Sequence, residues 1–235
     1  FSPGDTKSFE ILANSYKALE NEANDSEHLD FGIAITNTEE EREYVFNIDT
    51  KSYKLPVRFY DFPGGWLNSE DKENYNKLYE IVNRSEIIFV VLNAPYLMEY
   101  NGKFIERAKI NEIQSLLSQT LQNCVDDKLV LIVPMKCEKY MNELDNLYGR
   151  INDAFHDTIG LANNNNKIAL AVVPVCTIGN AKFSRFDFEG EEIVREVFRK
   201  QANSIFAPQN IDQPLRFAMS FFLKPVVHFC GNWSW

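Results

Sequence analysis

Apolar and polar positions along this chain fall into blocks of alternating period, and the blocks predict helices and strands in turn. Residues 8–24 place Phe9, Leu12, Ala13, Tyr16 and Leu19 near helical spacing and predict a first amphipathic helix. Residues 24–41 are polar and mixed and read as a loop. Residues 43–49 and 55–61 are rich in β-branched and aromatic side chains and predict two strands, joined as an antiparallel hairpin through residues 50–53. A helix is expected over 70–84, a buried strand over 87–93, a long helix over 105–123 and a strand over 128–134. A helix over 142–159 and a last core strand over 168–175 follow, separated by a loop of four asparagines at 163–166. Residues 189–201 and 213–223 read as closing helices. This alternation predicts an α/β fold with a mainly parallel central sheet, helices on both faces and one antiparallel hairpin strand. No repeat or linker divides the 235 residues, so one domain over 1–235 is expected.

Composition narrows the function classes. Hydrophobic residues make up 45% and charged residues 25%, ordinary values for a globular chain. The formal net charge of −10 argues against a general nucleic-acid binder and against electrostatic docking to anionic lipid. Cys124, Cys137, Cys176 and Cys230 show no CxxC spacing, and His28, His156 and His228 show no ligand spacing. A reducing, cytoplasmic setting and no zinc site are the expectations. Asn24, Asn83 and Asn232 open glycosylation sequons, read here as accidental. The apolar stretch over 217–230 is interrupted by Lys224 and Pro225 and is too short for a membrane span.

The candidate chemistry lies at strand ends. Tyr60-Asp61-Phe62-Pro63-Gly64-Gly65-Trp66 closes the strand over 55–61 with an Asp-x-x-Gly pattern. An Asp there suits the water shell of Mg²⁺, and Gly64 offers a backbone N–H to a terminal phosphate. The strand over 128–134 ends in Met135-Lys136-Cys137-Glu138, and the strand over 168–175 in Cys176-Thr177-Ile178-Gly179. Near the start, Lys7 and Ser8 stand at the lysine and hydroxyl positions of a Walker A loop, but Phe1 and Thr6 occupy its two glycine positions.

Taken together, these segments resemble a P-loop GTPase domain, most closely the bacterial double-GTPase and stress-associated GTPase group. Asp61 to Trp66 match that group's switch, roughly D-[YF]-P-G-[EG]-W. Residues 175–179 resemble its "V-S-A-[IL]-G" turn, and residues 207–215 resemble its "N-V-x-x-P-L" approach to the last helix. The resemblance spans roughly residues 4–224, and only the switch heptapeptide is specific. It implies a three-layer P-loop fold whose first strand is missing or truncated here, ahead of Phe1. It implies GTP or GDP with Mg²⁺ as ligands. Lys7, Ser8, Asp61 and Gly64 are then expected at the phosphates, and Ser8, Thr38 and Asp61 at the metal. Lys136 and Glu138 are expected to read the guanine, with Glu replacing the family's Asp, and Cys176 and Thr177 to back the base. A protein partner reading residues 61–75 is expected. Gly65 stands where many GTPases carry a water-orienting Gln, so hydrolysis is expected to be slow or partner-stimulated.

A structural reading stands beside each of these. Lys7-Ser8 is also a helix start capped by Thr6 or Ser8. Thr36 and Thr38 also fit a solvated turn before Glu39-Glu40-Glu41, Asp61 a turn ahead of Pro-Gly, and Lys136 and Glu138 a solvated loop. Trp66 is most simply a residue packed on the following helix. Two other readings of the whole chain follow: a scaffold that keeps the fold without the phosphate site, and an unrelated doubly wound enzyme, for which no Ser-His-Asp or metal constellation is present.

Overall fold

A computed structural model gives the fold and describes residues 2–25, 28–29, 40–49, 54–68, 70–202 and 204–222. The chain divides into two compact units: Phe1–Leu78 with Ile178–Ala207, and Tyr79–Thr177 with Pro208–Trp235.

The first unit holds two antiparallel sheets. In one, β1 (Ser2–Pro3) pairs with β3 (Arg42–Asp49), which pairs with β4 (Lys54–Asp61) in unbroken register from Arg42↔Asp61 to Asp49↔Lys54. Phe46 meets Phe59 edge-on at 5.5 Å, and Arg58 bridges to Glu43 at 2.7 Å, the cross-strand contacts that stabilise such a pair. The connecting residues 50–53 lie outside the described residues. Helix α1 (Thr6–Asp25) packs on β3. Its N-terminus explains itself: Asp5 accepts from the Ser8 N–H at 2.7 Å and from the Ser8 hydroxyl at 2.9 Å, an N-cap. Gly4 is required just before it. A Cβ there would stand 2.6 Å from Val45 Cγ1, because the Gly4 N–H reaches the Val45 carbonyl at 2.6 Å.

The second sheet has the order β2-β9-β8, with β2 (His28–Leu29), β8 (Ala181–Glu189) and β9 (Glu192–Lys200). It corrects the helix expected over 189–201. Ile193, Val194, Val197 and Phe198 fit a helical face by spacing alone. They are β-branched and aromatic, however, and Gly190, at φ +63°, turns the chain back on β8. Register shifts between Phe183 and Arg185 and between Asp187 and Phe188 break the simple alternation that would have betrayed the hairpin. Phe183, Phe186 and Phe198 cluster on its buried face, with ring centroids 4.7 and 5.8 Å from Phe183.

The second unit is α/β. Its parallel sheet runs β5 (Ile87–Asn93), β6 (Lys128–Met135), β7 (Ile168–Val172), with β6 central. An apolar run such as residues 129–135, on a central strand covered on both faces, is what parallel sheets select. On one face Val90, Leu92, Val130 and Ile132 meet Leu117 and Leu121 of α4 (Ile110–Leu121), Leu147 and Ile151 of α5 (Leu144–Ala154), and Phe155. On the other, Leu129, Leu131 and Val133 meet Phe217, Ala218 and Phe221 of α7 (Gln213–Phe222). Helices α2 (Lys72–Arg84), α3 (Ala94–Met98) and α6 (His156–Asn164) complete the set.

Among the described residues the protein is thus mixed α/β, with one three-stranded parallel sheet flanked by helices and two antiparallel sheets. Two expected helices are broken. The one over 105–123 begins as a 3-10 turn, Ile105–Ala108, and restarts at Ile110 after Lys109 enters the left-handed region at φ 51°. The one over 142–159 splits at Phe155 (φ −118°, ψ 23°), whose ring is fully buried; the core claims that side chain at the cost of helix continuity. The short α3 was not expected at all. Among the described residues, no helix is long and apolar enough to cross a membrane.

Candidate functional site

Ligands of open α/β sheets bind outside the C-terminal ends of the parallel strands, and in the second unit those ends are joined to one another. After β6 the chain turns at Lys136, a non-glycine residue held at φ 61°. The Lys136 N–H donates to the Thr177 hydroxyl at 3.3 Å, and the Cys137 N–H to the Val175 carbonyl at 3.0 Å. The loop after β6 is therefore fastened to the loop after β7. Cys176 exchanges two backbone hydrogen bonds with Gln209, both 3.0 Å, and the Asn210 amide donates to the Pro174 carbonyl at 3.2 Å. Glu99, beyond β5, completes the frame: one carboxylate oxygen accepts from Lys139 at 2.5 Å and from the Tyr140 hydroxyl at 2.6 Å. Glu99 escaped the sequence reading, and residues 209–210 were noted there only within the likeness over 207–215, not for their bonds to Cys176 and Pro174. Neither carries a spacing signal, since each joins positions remote in the chain.

Lys136, Glu138 and Thr177 thus share one crest, with Lys136 and Glu138 half-buried. The two cysteines are a different matter. Cys137 and Cys176 are buried, and burial pushes both thiols up to about 12. Protonated and enclosed, they serve as small core residues rather than nucleophiles.

The remaining candidates lie in the first unit. Lys7 is exposed. The Ser8 hydroxyl is buried, donates to Asp5 and accepts from the Val45 N–H at 3.0 Å. Both its hydrogen-bonding roles serve the fold, so the residue does not fit a Mg²⁺ ligand as it stands. Asp61 ends β4 and is exposed. Gly64 and Gly65 open a 3-10 turn, Gly64–Leu67. A Cβ on either would meet nothing within 4 Å, and neither has a left-handed φ. Tyr60 stacks on Phe62, Phe62 lies against Trp66 at 5.7 Å, and Lys77 of α2 sits 5.0 Å over the Trp66 ring while bridging to Glu41 at 2.6 Å. Trp66 packs on the following helix through Lys77. Thr36 and Thr38 lie outside the described residues. Among the described residues, no group of three or more His, Cys, Asp or Glu could hold a metal ion.

Compared with known proteins, the chain matches no family model, no curated protein and no solved structure.

Proposed function

We propose that this chain is a guanine-nucleotide-responsive regulatory domain of the P-loop GTPase type, with hydrolysis slow or supplied by a partner. The observation that carries the reading is the crest of the parallel sheet. There Lys136 is held in a left-handed conformation that costs a non-glycine residue on the order of 1–2 kcal/mol, and its loop is bonded to Thr177. Strain of this kind at the strand ends of an α/β sheet is characteristic of binding sites. In this reading Lys136 lies along the base, Glu138 accepts from it, and Thr177 holds the Lys136 backbone. The Asp61–Gly64 segment is the responsive element, and Gly65 supplies no side chain to orient water.

A second reading is favoured by one specific observation. Residues 2–8 form a short strand and a capped helix start, with the Ser8 hydroxyl spent on Asp5 and Val45. A chain folded that way there suits a scaffold that binds no phosphate. Calorimetric titration with GTP, GDP and ATP, with and without Mg²⁺ and with Asp61→Ala alongside, separates the two. Guanine-selective binding that Mg²⁺ strengthens and the variant weakens is the expected result. No heat with any nucleotide up to millimolar concentration would leave the scaffold.

A further inference from the structure

The exposed face of the β8–β9 hairpin carries a concentration of positive charge that the chain's net charge of −10 conceals. Residues paired in register share a face. Lys182 stands directly across from Arg199, and Asp187 across from Arg195, with Arg185 alongside. Lys182, Arg185, Arg195 and Arg199 are all exposed. Against them this face sets Asp187; the other acids of the hairpin, Glu189, Glu191 and Glu192, gather at its turn, and Glu196 is buried.

Two details say what this face recognises. First, Asp187 is gripped from both sides. The Arg185 Nε donates to one carboxylate oxygen and the Arg195 Nε to the other, each at 2.7 Å. The two guanidinium groups, Arg195 foremost, hold the Asp187 carboxyl below its ordinary range. The face therefore already binds one carboxylate by the geometry for which guanidinium is suited, and Arg185 carries further N–H donors beyond its Nε. Second, Lys182 and Arg199 oppose each other with no ion-pair partner among the described residues. Like charges directly across a strand pair are destabilising, and a bound anion relieves them.

We propose that this face is a docking surface for an acidic segment of a partner protein, whose carboxylates seat against Lys182, Arg199 and the outer donors of Arg185. Nucleic acid is the weaker candidate. Its charge continues far beyond a two-strand patch and would run against the field of a strongly acidic chain, whereas a short Asp/Glu segment covers the patch alone.

The test uses the full chain at low salt. Fluorescence anisotropy follows a labelled oligoglutamate peptide, with labelled oligodeoxythymidylate and phosphatidylserine vesicles as the competing polyanions. The expected result is salt-sensitive peptide binding, tighter than to either competitor. Binding should weaken by about tenfold or more in Lys182→Glu/Arg199→Glu. That double variant keeps like charges facing, so its melting temperature should match wild type, while Lys182→Glu alone should melt higher. If the double reversal fails to fold, Lys182→Gln/Arg199→Gln takes its place with the same expected direction. No peptide binding, binding indifferent to these variants, or tighter binding of DNA or vesicles would each overturn the proposal.

Discussion

Asn180 is the residue whose local energetics stand out. It is 2% exposed, and neither its amide nitrogen nor its amide oxygen has a hydrogen-bond partner among the described residues. Its backbone carbonyl is engaged, accepting from the Gln201 N–H at 2.8 Å. A buried polar group left unpaired costs about 1–3 kcal/mol. Deleting it removes that cost and leaves a small void, which returns part of the gain. Asn180→Ala is therefore expected to stabilise the protein by about 1 kcal/mol, read as an upward shift of the urea midpoint at unchanged slope. A loss of stability of similar size would show that the amide is satisfied in solution, by water or by another part of the chain. Asn180 was invisible to the sequence reading, because an unpaired amide is defined by its surroundings and not by its neighbours in the chain.

Among the elements, the end of α2 shows how a charge can be structural. Lys128 opens β6 and is 6% exposed, yet its ammonium donates to the carbonyls of Asn83 and Ser85 at 2.6 and 2.7 Å. These are carbonyls at the C-terminus of α2, where the helix has no partners of its own and where its dipole favours a cation. Lys128→Met keeps the buried stem and removes the donor, stranding both carbonyls. A loss of about 2 kcal/mol is expected in urea denaturation; a change within ~0.5 kcal/mol would mean that water replaces the ammonium. The elements also mark the limit of what the sequence could tell. The strands at 87–93 and 128–134 were legible because unbroken β-branched runs have no amphipathic alternative. The hairpin of β8 and β9 was not, because its register shifts skip Ser184 and Val194 and break the alternation, while Glu196, Val197 and Phe198 are buried consecutively on the central strand of the sheet. That reads as helical spacing. The Lys136 and Glu138 loop was legible as a strand end, but the bonds that shape it come from the Thr177 hydroxyl, the Glu99 carboxylate and the Val175 backbone carbonyl, all remote in the chain, and the last can be supplied by any residue.

For the whole molecule, the test of a switch is whether it holds a residue that its described state does not need. Gly4 is needed, because Val45 leaves no room for a Cβ. Gly64 is not: its turn has ordinary backbone angles and open space around the missing side chain. Alanine there restricts the unfolded chain without straining the folded one, and should stabilise the nucleotide-free protein by about 0.4–1 kcal/mol. If Gly64 earns its place in a second, triphosphate-bound state, the same substitution should cost the response to GTP. Wild type with ligand at about a hundredfold over its Kd should gain about 2.7 kcal/mol from mass action. In Gly64→Ala the gain with GDP should persist, while the gain with GTP shrinks. Thermal melts of both proteins with each nucleotide measure all of this at once. Equal gains from GTP in the two proteins would remove Gly64 from the switch. A lower melting temperature for the nucleotide-free variant would show that the fold itself needs the glycine, and the argument from an unneeded residue would fall with it.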